Sequence, residues 1–204
     1  MGEPKLRKYT AKEYLEILEA SPIKLEFIDS QIYTKDGKPY LGNDALNMAG
    51  ASINHNQISS NLVFQLKNKL KGTNCKTFAS DAKLYCATKN SYFFPDLMVI
   101  CNNITFAKDD VNAITNPTIV VEILSDSTES VDRGTKFHHY RQLNSLQEYV
   151  LVNQNEARIE IFVKKEDKDI MVVKCFEGID SICTLESINY NIPLNDIYEG
   201  IKLS

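Results

Sequence analysis

Two short apolar runs, each beside a single carboxylate, constrain what this chain can fold into. Residues 97–100 follow Asp96, and residues 119–121 precede Glu122. Both runs have the length and composition of buried strands. A buried acid costs several kcal/mol unless a partner compensates its charge. We therefore expect two neighbouring strands whose carboxylates meet at one end and serve a function there.

Two converging carboxylates are the ligands that a hard divalent cation needs. Mg²⁺ in particular uses one or two carboxylates and completes its shell with water and phosphate oxygens. The spacing also allows a purely structural interpretation, in which Asp96 caps a turn after Pro95 and Glu122 pairs with a lysine. Spacing alone leaves both interpretations open.

Several ordered segments of the chain resemble a known family. They are Leu25-Glu26-Phe27-Ile28-Asp29, Met48-Ala49-Gly50-Ala51-Ser52 with His55, Ser80-Asp81-Ala82-Lys83, Phe94-Pro95-Asp96-Leu97-Met98-Val99, Val121-Glu122-Ile123-Leu124-Ser125 with Ser127-Thr128, Asp132-Arg133-Gly134-Thr135-Lys136 through Tyr140-Arg141, and Ser145 to Val152. With these segments the chain resembles the Uma2 family of restriction-endonuclease-like proteins, within the PD-(D/E)XK nuclease superfamily. The resemblance covers most of the chain.

The resemblance implies an α/β fold: a restriction endonuclease-like mixed β-sheet core flanked by helices, with additional antiparallel strands. It also implies a metal-dependent endonuclease that hydrolyses DNA phosphodiester bonds. Asp96 and Glu122 would then hold Mg²⁺ or Mn²⁺, which supplies a bound hydroxide and acts as a Lewis acid. The family match adds Glu26 as a third acid and metal ligand.

The chain departs from the superfamily pattern at the catalytic lysine, whose usual position, two residues after the second acid, is Leu124. Within the Uma2 pattern Lys136 is the natural substitute, and Lys83 on a preceding strand is its rival. Either ammonium would orient the attacking water and stabilise the developing charge. A purely structural role is also open for Lys136, since Asp132 lies four residues earlier on the same helical face.

Weaker candidates lie near these residues. His55 follows a helix start where a phosphate or second metal fits, and Tyr140 is placed either to contact the site or to pack in the core. His138 and His139 point to different helix faces, so the pair cannot form one ligand set. Asp29 is predicted to be a turn residue.

Composition limits the class of protein. With 204 residues and 43% hydrophobic residues, we expect one domain over residues 1–204. The net charge of −4 means that a DNA contact needs a local basic patch, for which the lysines and asparagines of the helix predicted at 52–71 are candidates. The polar N-terminus and the lack of long apolar stretches predict a cytoplasmic protein with no membrane partner.

The five cysteines show no zinc-ribbon spacing and are predicted to be buried free thiols. They are Cys75, Cys86, Cys101, Cys175 and Cys183. A duplex cutter would most economically be a homodimer.

Periodicity predicts the elements of the chain. A helix follows the capping box of Thr10 and Glu13, and a polar loop at 35–44 is a solvated excursion, a lid or a specificity loop. The other expected elements are a hairpin at 24–33, helices at 52–71 and 130–143, strands at 75–86, 92–101, 118–124, 148–153, 158–164 and 170–176, a loop or helical turn at 102–116, and a closing segment at 192–201.

Two other functions are open. A noncatalytic nuclease-like domain that binds nucleic acid or a protein partner would explain Leu124. A two-carboxylate glycosidase is the third possibility, but the chain has no Trp to form a sugar platform.

Overall fold

A computed structural model describes residues 7–42, 51–165 and 170–203 of the protein. Part of the predicted 35–44 loop, and Met48 to Gly50 of the family resemblance, lie outside these residues. Within them, no helix is long and apolar enough to cross a lipid bilayer.

The described chain forms five α-helices and thirteen strands. The helices are α1 Ala11–Ala20, α2 Ile53–Lys69, α3 Glu129–Val131, α4 Phe137–Tyr140 and α5 Leu194–Ile197; a π-helical turn, Asp132–Lys136, joins α3 to α4. The strands are β1 Leu25–Ile28, β2 Gln31–Thr34, β3 Cys75–Ala79, β4 Lys83–Cys86, β5 Ser91–Phe93, β6 Leu97–Cys101, β7 Ala113–Ile114, β8 Ile119–Leu124, β9 Glu148–Asn153, β10 Arg158–Lys164, β11 Met171–Glu177, β12 Ile182–Leu185 and β13 Tyr190–Pro193.

The strands form three sheets. The largest has six strands in the order β11-β10-β9-β8-β6-β3, and a five-stranded sheet has the order β2-β1-β5-β4-β7. The six-stranded sheet is mixed, because β8 and β9 pair in parallel and its other neighbours pair antiparallel. The helical stretch from α3 to α4 supplies the crossover that parallel strands require. The predicted class, an α/β fold with a mixed sheet and helices, is confirmed.

Side chains of the six-stranded sheet alternate between two cores. On one face, Val99 and Val121 pack with Ile58 and Leu66 of α2. On the other face, Met98, Val120 and Leu124 pack with the five-stranded sheet and with Tyr140. The site described below belongs to this second face.

Two predicted strands are each divided between the sheets. The strand expected at 75–86 breaks into β3 and β4, and the strand expected at 92–101 breaks into β5 and β6. At the second break Pro95 has no N–H, while the N–H groups of Phe94 and Asp96 donate to the carboxylates of Glu26 and Glu122. The backbone therefore leaves the ladder where the acids accept its hydrogen bonds.

The capping box and the hairpin are confirmed, whereas the helix predicted at 130–143 is divided into α3, the π-helical turn and α4. Thr10 and Glu13 form the reciprocal capping box of α1. Asp29 and Ser30 form the two-residue turn between β1 and β2, with φ of 49° and 65°. Positive φ at both positions is the geometry that favours a tight hairpin, so the turn predicted for Asp29 is confirmed.

Two smaller predictions are wrong. Residues 102–116 were predicted to be a loop or a helical turn, but they include a short strand, β7, which pairs in parallel with β4. The cysteines are also not all buried free thiols: antiparallel pairing of β3 with β6 places Cys75 opposite Cys101, and the two form a disulfide. Cys86 and Cys183 are buried and free, and Cys175 is free but exposed.

Candidate active site

Asp96, the residue directly before β6, lies beside Glu122 of the adjacent strand β8. The β6–β8 register pairs Leu97 with Val121, which places the two acids at the same end of the pair. Their backbones and side chains interlock: Asp96 N donates to Glu122 Oε2 at 3.3 Å, and Ile123 N donates to Asp96 Oδ2 at 2.8 Å. The expected convergence of the two carboxylates is therefore present.

Lys136 lies at the centre of a buried group of charges. Its Nζ is 3.1 Å from Glu122 Oε1, 2.9 Å from Asp132 Oδ1 and 3.6 Å from Glu26 Oε1. We call Glu26, Asp96, Glu122, Asp132 and Lys136 the acid cluster. Each of these residues is at most 2% exposed, so the charges compensate one another out of contact with solvent.

The π-helical turn directs Asp132 and Lys136 inward together. Such a turn widens the helix and is frequent at functional sites. Tyr149 OH donates to the main-chain oxygen of Asp132 at 3.0 Å. Tyr140, one turn after Lys136, donates its OH to Glu122 Oε1 at 2.8 Å. Tyr140 is thus both a core residue and a hydrogen-bond donor to the acid cluster.

Asp96 has two further partners from distant elements. Lys35, the first residue after β2, places Nζ 2.6 Å from Asp96 Oδ1. His55, in the first turn of α2, places Nε2 3.1 Å from Asp96 Oδ2; Ser52 caps that turn by accepting a hydrogen bond from His55 N. His55, a weak candidate from the sequence, is therefore adjacent to a central acid.

The two carboxylates on the strands have opposite electrostatic environments. Burial raises the pKa of Glu122; the ammonium of Lys136 opposes this effect, but the carboxylates of Asp132 and Asp96 reinforce it. Burial would also raise the pKa of Asp96, but its hydrogen bond with His55 and the charge of Lys35 outweigh burial and hold the pKa well below its usual range. Asp96 is therefore the ionised member of the pair, and Glu122 the one that gains a proton first.

Burial and neighbouring charges also shift the pKa values of Glu26 and Lys136. Burial raises the pKa of Glu26, against the opposing effects of Lys136 and the hydrogen bond from Phe94 N. Burial would lower the pKa of Lys136, but Glu122, Glu26 and Asp132 raise it well above its usual value. Lys136 is therefore a permanent cation in the folded protein.

The acid cluster and its lysine partners hold more acids than bases. Glu26, Asp96, Glu122 and Asp132 are four carboxyl groups, whereas the basic groups beside them are the ammonium groups of Lys35 and Lys136 and the imidazole of His55. A divalent cation between Asp96 and Glu122 would replace the proton that burial favours on Glu122, and carboxylate oxygens are suitable ligands for Mg²⁺. Within the described ranges, no three His, Cys, Asp or Glu side chains form a ready-made metal site. The donor set therefore fits a cation that takes two protein carboxylates and completes its shell from water or substrate.

The structure does not bring every predicted site residue to this place. Lys83 Nζ binds Asp110 Oδ2 at 2.5 Å instead of a member of the acid cluster. Glu26 contacts Lys136 Nζ and accepts a hydrogen bond from Phe94 N. Of the adjacent histidines, His139 is buried, with Nε2 4.0 Å from Asp29.

Sequence reasoning missed Lys35 as a site residue. It stands 61 positions before its partner Asp96, in a loop interpreted as a solvated excursion, a lid or a specificity loop. Its position directly after a strand that pairs with the Glu26 strand was the available signal, because such a residue lies at the same end of the sheet.

Comparisons with known proteins show which family the chain resembles. Residues 11–183 match the family model Uma2, described as "Putative restriction endonuclease". Two similar proteins come from Synechocystis sp. (strain ATCC 27184 / PCC 6803 / Kazusa). "Uncharacterized protein sll1609" is 35% identical over 81% of this chain and 86% of its own. "Uncharacterized protein slr1290" is 33% identical over 95% of this chain and 93% of its own.

A solved structure shows the same fold. The crystal structure of a putative nuclease belonging to DUF820 from Anabaena variabilis ATCC 29413 superposes with a TM-score of 0.68 at 16% sequence identity. The match covers 93% of this chain and 97% of the other.

Proposed function

The chain belongs to the Uma2 family, and from that premise we propose that it is a metal-dependent endonuclease that hydrolyses DNA phosphodiester bonds. The observation that supports this proposal most strongly is the pairing of Asp96 and Glu122 beside a buried lysine. These are the groups that phosphodiester hydrolysis uses: two cation ligands and a positive charge near the reacting phosphate.

Asp96 and Glu122 would hold Mg²⁺ or Mn²⁺. When bound, the cation supplies Lewis-acid chemistry and lowers the pKa of a water molecule. Asp96 presents an ionised carboxylate, because His55 and Lys35 hold its pKa low. Glu26, predicted as a third ligand, would instead position the Lys136 ammonium, since its nearest cationic group is that lysine.

Lys136 would orient the attacking water and stabilise charge on the phosphate. Its ammonium is 3.1 Å from Glu122, so a group bound at Glu122 is within its reach. Although Leu124 occupies the usual lysine position, the site still has a lysine on this proposal, because the π-helical turn after β8 supplies Lys136. Lys83 is the alternative, and its ammonium would first have to leave Asp110.

A plasmid-nicking assay with Mg²⁺, and with EDTA as the metal-free control, tests the proposal. Asp96→Asn and Glu122→Gln should each lower cleavage at least about 100-fold, the usual scale for a lost metal or electrostatic group. Glu148→Gln is the matched control, because Glu148 is a fully buried acid that binds Ser187 outside the acid cluster. Wild-type cleavage by the two site variants would refute the proposal.

The choice of lysine is tested in the same assay. Lys136→Met should abolish cleavage, whereas Lys83→Met should retain it. The reverse result would assign the role to Lys83. Fold retention in each variant is checked by circular dichroism, because Lys136 is fully buried.

A second candidate function is a noncatalytic domain that binds nucleic acid or a protein partner. The observation that favours it is the burial of the acid cluster, where Asp96 is 2% and Glu122 1% exposed. Calorimetry separates the two functions: a nuclease shows Mg²⁺ binding that Asp96→Asn removes, and a noncatalytic binder shows none. The expected homodimer is tested by light scattering of the purified protein.

A further inference from the structure

Lys35 differs from the acid cluster that it contacts in being partly open to solvent. Its side chain is 31% exposed, whereas that of Asp96 is 3% exposed. It enters the site from a loop, not from the helix that carries Lys136. A charged group in this position lies between the buried acids and the solvent.

Lys35 contacts a different oxygen of Asp96 from the other partners of that carboxylate. Asp96 Oδ2 is already taken by Ile123 N and His55, whereas Oδ1 receives Lys35 Nζ at 2.6 Å. The carboxylate of Glu122 also attracts this ammonium. Lys35 therefore interacts with the same two carboxylates that would hold a divalent ion.

A tight turn holds Lys35 in this position. Thr34 N donates to Lys38 O, and Gly37 N donates to Thr34 O, both at 2.9 Å. Gly37 has φ of +78°, and a Cβ there would lie 3.0 Å from Val131 Cγ2. The turn is therefore packed against the start of the helical stretch that carries Lys136.

We propose that Lys35 is a tethered cation that occupies the metal position beside Asp96 and must be displaced when a divalent cation binds. The ammonium and the metal ion compete for one carboxylate oxygen and repel each other. By linkage, a bound metal ion must weaken the contact between Lys35 and Asp96 by the same free energy by which Lys35 weakens metal binding. This inference rests on the metal site of the proposed function and adds an exchange step at that site.

Calorimetric titration with Mn²⁺ tests the competition. Lys35→Met should tighten Mn²⁺ binding about tenfold, within the usual range for coupled ligands. Lys35→Arg keeps the positive charge and should bind Mn²⁺ much more like the wild type. Lys38→Met is the matched control from the same turn, because Lys38 pairs with Asp36 and is 78% exposed; its Mn²⁺ affinity should not change.

Amine acetylation followed by mass spectrometry gives a second readout on the wild-type protein. Mg²⁺ should raise the labelling rate of Lys35 several-fold, because the displaced ammonium loses its carboxylate partner, while labelling of Lys38 stays constant. This measurement decides the question even when Lys35→Met folds poorly. Unchanged Lys35 labelling on Mg²⁺ binding, or equal Mn²⁺ affinity in wild type and Lys35→Met, would overturn the inference.

The outcomes also separate this inference from the proposed function. Tighter Mn²⁺ binding by Lys35→Met without any DNA cleavage would refute the nuclease and leave the exchange intact. DNA cleavage by the wild type, together with equal Mn²⁺ affinity in wild type and Lys35→Met, would refute the exchange alone. Absence of Mn²⁺ binding in both proteins would refute both.

Discussion

Glu122 is the residue at which the competing demands of the site meet. It accepts hydrogen bonds from Lys136 and Tyr140 on one oxygen and from Asp96 N on the other. Full ionisation is therefore supported by donors but opposed by burial and by the neighbouring acids. A carboxylate balanced in this way responds strongly to any change in its donors.

Tyr140→Phe tests that balance. Loss of the 2.8 Å hydrogen bond to Glu122 should lower the free energy of unfolding by about 1.5–3 kcal/mol, the usual range for a hydrogen bond to a charged group. The loss should be larger at pH 9 than at pH 5, because Glu122 is protonated more at low pH. Urea denaturation measures both values. Tyr33→Phe, which removes a partly exposed hydroxyl, is the control and should change stability little.

The residues that sequence reasoning brought to the site were those that a pattern or the resemblance marked. Glu26, Asp96, Glu122 and Lys136 meet in the structure, and their chemical roles stay predictions. Lys35 carried no such mark, because its contact depends on how a turn folds back over the sheet. Its significance became visible only from the tertiary structure.

Among the elements, the strands show how far periodicity can be followed. Their apolar content was predicted correctly, but two continuous runs turned out to belong to two sheets each. The break near Pro95 depends on hydrogen bonds to Glu26 and Glu122, which are distant in sequence. Local propensity contains no information about such long-range acceptors.

The turn after β2 gives a prediction at the same scale. Gly37→Ala should lower the free energy of unfolding by more than the roughly 1–2 kcal/mol of left-handed backbone strain, because the added Cβ also meets Val131. Gly42→Ala is the matched control: it has φ of +94° but open space around its Cβ. Thermal denaturation compares the two variants. Equal losses would show that the contact with Val131 is unimportant.

The disulfide between Cys75 and Cys101 links β3 to β6. Because it closes a loop of 26 residues, its reduction should lower the free energy of unfolding by about 3.5 kcal/mol, since the unfolded chain gains conformational entropy. Urea denaturation with and without dithiothreitol measures this loss. The Cys75→Ala/Cys101→Ala double variant should be insensitive to the reductant, and equal sensitivity of both proteins would contradict the prediction.

For the whole molecule, the buried acids set the pH dependence of stability. The pKa values of Glu122 and Glu26 are higher in the folded than in the unfolded protein. The folded state therefore binds more protons above about pH 4.5, and its stability falls as the pH rises through the folded pKa values. Asp96 has the opposite shift, so its contribution is lost in acid, below its unfolded pKa.

In EDTA, the free energy of unfolding should accordingly decrease between pH 5 and pH 8. Each unit of pKa elevation corresponds to about 1.4 kcal/mol. Glu122→Gln should flatten this part of the profile, because glutamine does not titrate. Chemical denaturation at several pH values provides the curve, and an unchanged slope in Glu122→Gln would contradict the assignment.

The mixed sheet and the helices on its faces were predictable from the family resemblance and from the periodicity. The five-stranded sheet was not, because it is assembled from strands at 25–34, 83–93 and 113–114 that adjoin the larger sheet in sequence. Packing decides which strands form the smaller sheet, because Leu84 and Phe93 belong to the core between the two sheets.

The position of Lys136 late in the chain has a consequence for synthesis on the ribosome. When β8 emerges, Glu26, Asp96 and Glu122 have all been made, as has Lys35, the partner of Asp96, but the Lys136 ammonium that pairs with Glu26 and Glu122 has not. The parallel partner of β8, strand β9, also follows Lys136. We therefore expect the nascent sheet to stay open and hydrated until the π-helical turn arrives, so that burial of the acids is among the last events of folding.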